Sequence, residues 1–68
     1  MNPQQMRYYQ ESMNLCQKLL CQIDRNMDES QRMFSGDLLK EYRKAIEMTQ
    51  KKVKQIRGAL QNAQSGQQ

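Results

Sequence analysis

From Met6 to Phe34 one class of side chain recurs at intervals of three and four residues: Met6, Tyr9, Met13, Cys16, Leu20, Ile23, Met27, Ser30 and Phe34, with Ser30 the one polar member. A spacing that averages 3.5 residues keeps one stripe on one side of an α-helix, whereas a strand alternates with period two. In heptad terms Met6, Met13, Leu20, Met27 and Phe34 are a residues, and Tyr9, Cys16, Ile23 and Ser30 are d residues. The pattern restarts at Leu39 and runs through Tyr42, Ile46, Thr49, Val53, Ile56, Leu60 and Ala63, with Thr49 its clearly polar member.

The step from Phe34 to Leu39 is five residues where an unbroken heptad needs seven, so the register breaks there. At the break stands Ser35-Gly36-Asp37. Gly36 can take the left-handed conformation that closes a helix, and Asp37 can cap the next one. Pro3 fits the first turn of the first helix, and Asn2 before it is a cap candidate. The sequence therefore predicts an all-α chain: one domain, residues 1–63, folded as an antiparallel helical hairpin. Its helices span about 4–34 and 37–63, with a turn at 35–37 and a flexible Gln-rich tail at 64–68. Poor helix formers gather between Asp24 and Ser30, but the heptad phase passes through them, so the first helix is read as continuous.

Such a hairpin is short of core. Leu, Ile, Val and Phe supply only eleven of 68 residues, about 16%, under the roughly 20% at which disorder becomes a serious expectation. These residues stand almost entirely on the two stripes, which argues for ordered helices that enclose too little. Apolar side chains are also left over beside the stripes. Tyr8, Leu15 and Leu19 form a second column on the first helix, at c and g positions; Leu38, Ala45, Met48 and Ala59 flank the stripe of the second. A stripe this wide meets more than one neighbour. Dimerisation or a partner's amphipathic helix would then complete a coiled coil or a four-helix bundle. Burying about 600 Å² more apolar surface per chain is worth on the order of 15 kcal/mol before association costs. Tyr8, Met13, Leu15, Leu19, Leu38, Ala45 and Met48 are the candidate interface. The six methionines read either as a compliant binding surface or as ordinary core filler.

The inventory narrows the chemistry. Without histidine there is no Ser/His or Cys/His nucleophile pair and no imidazole ligand for zinc, so an enzyme is not expected. Cys16 and Cys21 are too few for a structural zinc site. Five residues apart on a helix, they point about 140° away from each other, which disfavours a disulfide between them. Two reduced thiols fit the cytoplasm. No apolar run is long enough for a membrane span, and the N-terminus carries no signal-peptide core. Asp24, Asn26 and Asp28 imitate the start of a calcium loop, but Glu29 occupies the place of its glycine and Ser35 that of its bidentate Glu. No cofactor or metal is expected.

The net charge of +4 lies wholly in residues 37–68, which hold seven basic and three acidic side chains. Lys44, Lys51, Lys52, Lys54 and Arg57 fall on the back of the second helix if its a/d stripe is buried. They read first as a solvated face and second as a phosphate-binding stripe, though Glu41 and Glu47 interrupt the basic residues and no aromatic stands among residues 51–57 for base stacking. In length and helix pattern, over about residues 4–63, the chain resembles two classes of small hairpin protein. One is a plasmid RNA-binding class that dimerises into a four-helix bundle and grips paired RNA loops. The other is the helical-hairpin co-chaperones of type III secretion. These resemblances imply, respectively, RNA binding and the holding of a partner's helix, and neither assigns residues here.

Overall fold

The computed structural model describes residues 2–65, and in them two helices pack against each other as a hairpin. Helix α1 runs Pro3–Met33 and helix α2 runs Gly36–Ser65. The first helix begins on a two-way cap. Asn2 Oδ1 accepts from the Gln5 backbone N–H at 2.8 Å, and the Asn2 N–H donates to Gln5 Oε1 at 3.1 Å. Two otherwise orphaned donors are thereby satisfied, with Pro3 at a position that needs no donor. The stretch from Asp24 to Ser30 stays helical, so Asp24, Asn26 and Asp28 lie on an unbroken helix instead of a loop.

The connection is two residues long, Phe34 and Ser35. Phe34 leaves α1 in an extended conformation while its N–H still donates to the Ser30 carbonyl at 2.9 Å. Gly36 then turns with φ of +62° and opens α2, and the Leu39 N–H donates to the Ser35 carbonyl. The left-handed glycine is thus present as expected, but it begins the second helix and does not end the first. Asp37 lies within the first turn, where its charge suits the helix dipole. At the far end α2 passes the expected limit of 63 and reaches Ser65; residues 66–68 of the Gln-rich tail lie outside the described residues. Leu60 and Ala63 there share a hollow with Tyr8 and Tyr9 of α1, so the last turns have something to pack on.

The core is one seam: Cys16, Leu20 and Ile23 of α1 against Val53 of α2, extended by Ile46 and Leu60. Phe34 and Tyr42 close its loop end edge to face, 5.3 Å between ring centres. The polar members of the stripes are accommodated on their own helices. Buried Ser30 donates to the Met27 carbonyl at 2.7 Å, and Thr49 donates to the Ala45 carbonyl at 3.0 Å. The ion pairs found among the described residues, Arg32–Glu29 and Lys44–Glu41, are exposed and within single helices, so they contribute little. The hairpin is held by apolar burial.

The glycines give a paired test. Gly36→Ala forces a side chain into the left-handed region and should lower stability by about 1 kcal/mol. Gly58→Ala, inside α2 with open space around the added methyl, should raise it by about 1 kcal/mol. Urea melts at one fixed protein concentration read both; equal signs would contradict the described turn.

Candidate docking surface

The two helices do not present the same positions to each other. On α1 the buried residues are a and d residues, Cys16, Leu20, Ile23 and Ser30, as the heptad predicts. On α2 the a residues Leu39, Ile46, Val53 and Leu60 turn inward; near the loop the d residue Tyr42 is half-buried against Phe34 and the e residue Arg43 is exposed, but farther along the second inward row is e: Gln50, Arg57 and Gln64 are half-buried while the d residues Thr49, Ile56 and Ala63 are exposed. The a/d expectation for α2 is corrected accordingly. Gln50 Nε2 donates to Asp24 Oδ1 at 3.4 Å across the pair.

This rotation gives the hairpin two unlike sides. In an antiparallel pair the e rows of both helices meet along one edge and the g rows along the other. The e edge is polar, as the Asp24–Gln50 bond marks. The g edge is apolar. Among the described residues, every large apolar side chain that remains exposed, Met6 excepted, stands at c, d or g: Tyr8, Leu15, Leu19 and Met33 on α1, Leu38, Met48 and Ile56 on α2. Leu15 is 58% exposed, Leu19 42% and Ile56 46%, which for leucine and isoleucine leaves about half the side chain in water. They line a groove of about 220 Å³ whose walls are Ser12, Leu15 and Leu19 from α1 and Ile56 and Leu60 from α2, over a floor of Cys16 and Val53. The groove continues past Tyr8 toward Ala63.

Of the predicted interface residues, Tyr8, Leu15, Leu19, Leu38, Ala45 and Met48 are exposed on the c and g rows, with Met48 at the outer edge of α2. Met13, on the a row of α1, is half-buried. By its spacing Ile56 belongs to the closed stripe, but in the structure it is exposed and lines the open groove. Its sequence signal is indirect: the neighbouring d residues Thr49 and Ala63 are too small to hold that row against α1.

The predicted basic stripe divides in the same way. Lys44, Lys51 and Lys54 lie on the b and f rows with Arg57 beside them on e, away from the apolar edge. Lys52 stands at g, on that edge, so it does not share the back of the helix with the others. Lys44 is also engaged by Glu41 at 3.6 Å. Among the described residues no group of three or more Cys, Asp or Glu side chains could hold a metal ion, and no helix is long and apolar enough to cross a membrane. Comparison of the chain with protein-family models, with characterised proteins and with solved structures gives no match.

The two cysteines sit in different settings: both are free, Cys16 buried in the seam and Cys21 exposed on the polar side. An excess of an aromatic disulfide reagent should therefore modify Cys21 within the mixing time of a hand assay and Cys16 only as the hairpin opens. Two equal, fast phases in native buffer would contradict the seam.

Proposed function

We propose that the chain is a non-enzymatic helical interaction module, an adaptor, co-chaperone or assembly subunit, that works by burying its c/d/g edge against another chain. One observation supports this above others: the exposed large apolar side chains gather on one edge, while the opposite edge is polar. Scattered exposed leucines need no explanation, but exposed apolar side chains gathered on one side mark an interaction surface. The occupant is a second copy or a partner's amphipathic helix, either giving a coiled-coil-like or four-helix arrangement. Its setting is the cytoplasm, where free thiols such as Cys16 and Cys21 persist. Leu19→Asp tests the reading, because Leu19 is exposed enough for the hairpin to keep its helical circular dichroism. Association with any chain should weaken by roughly a hundredfold, the loss typical of a central anchor. Unchanged association would remove the proposal.

A second reading has its own observation. Lys44, Lys51 and Lys54 with Arg57 lie away from the apolar edge, so a module docked through that edge would still present them to phosphates. Reversing Lys44, Lys51 and Lys54 to Glu should abolish any affinity for duplex or looped RNA and leave association through Leu19 intact. An RNA affinity unmoved by that reversal would end this reading.

A further inference from the structure

We propose that the occupant of the open edge is a second copy of this chain, laid on it as a second layer of two helices. The inference rests on the interaction-module reading and names its partner. Three features carry it.

The first is area. The accessible surface is 5539 Å², whereas a compact single chain of 8.1 kDa exposes roughly 4,500 Å². The excess, about 1,000 Å², is close to the roughly 800 Å² that each partner contributes to a stable protein interface. The Cα frame measures 50 × 16 × 11 Å, so one broad side also offers a footprint of about that size.

The second is breadth. A single partner helix seated in the groove would cover Leu19 and Ile56. It would leave Leu38, Ala45 and Met48 of α2, none of which lines the groove or its continuation, in water. A two-helix layer spans the groove and these residues together, and this chain carries such a layer with the same apolar edge.

The third is charge and placement. Among the described residues, the only charged side chains on the c, d and g rows are Glu29, Glu41 and Lys52. Glu29 and Glu41 are each already paired within their own helix. The surface therefore has no strong field of one sign to repel its own image. Leu15 and Leu19 bracket the midpoint of α1, with Ile56 across the groove from them. A two-fold axis through that point sets the most apolar part of one copy on the same part of the other, as an isologous interface requires.

Sedimentation equilibrium of the full chain from micromolar to millimolar concentration tests the proposal. The wild type should give twice the monomer mass of 8.1 kDa, and Leu19→Asp the monomer mass with helical circular dichroism retained. Ile56→Asp, on the other helix, repeats the test if Leu19→Asp fails to fold. A wild type that stays at the monomer mass throughout overturns the second copy as occupant, as does a mass above the dimer. An apolar dye separates this failure from failure of the module reading. A monomeric wild type that binds the dye, with binding lost in Leu19→Asp, leaves the edge open for another partner. A monomer that binds no dye removes both.

Discussion

A pair of helices is one layer deep, and a single layer can bury only the stripe along which its two members touch. Each helix here carries apolar side chains over a wider arc than that stripe, so part of the apolar surface is left on the outside whatever the rotation of the helices. Domains ordinarily enclose a core between two layers. The observed rotation, with a and d of α1 against a and, beyond Tyr42, e of α2, decides where the remainder goes. It closes the seam around Leu20, Ile23 and Val53 and places Leu15, Leu19 and Ile56 together on one open edge.

The polar content is distributed to match. Gln50 and Asp24 bridge the e edge, and most of the positive charge of α2 lies on that side or on the back. Lys52 alone among the phosphate-binding candidates stands beside the apolar groove. The hairpin is thus amphipathic as a unit, as a single surface helix is within a larger protein. This two-sidedness keeps the two proposed activities, docking through the apolar edge and phosphate binding by the basic residues, separable by mutation.

Much of this architecture could be read from the residues. The spacing of three and four predicted both helices, and the five-residue step between Phe34 and Leu39 located the turn to within a residue. Gly36 was identified as the left-handed position. The capping pair of Asn2 with Gln5 is legible only in part, because Asn2 is a typical cap residue while a Gln in the first turn is also an ordinary helix former. What periodicity could not reveal was the rotation of α2. The heptad puts Ile56 and Val53 on one stripe, while in the structure the e residues Gln50 and Arg57 are half-buried and Ile56 is exposed. That tertiary preference has no signature in hydrophobic spacing. The same rotation sets Lys52 on the apolar edge and not on the back of the helix. Gly36 opening α2 was equally hidden, since the positive φ required at the turn suits either side of it.

The account rests on the claim that the hairpin's core is completed by surface from another chain. If the occupant is a second copy, folding and association are linked, and stability must depend on protein concentration. The most direct measurement is the melting temperature of the helical circular dichroism signal across a thousandfold dilution series. The account predicts a midpoint that rises steadily with concentration, by about 4–8 °C for each 1 kcal/mol of added stabilisation in a domain of this size. A sharp, cooperative transition at one temperature over the whole series would contradict it, because the single layer would then be sufficient on its own.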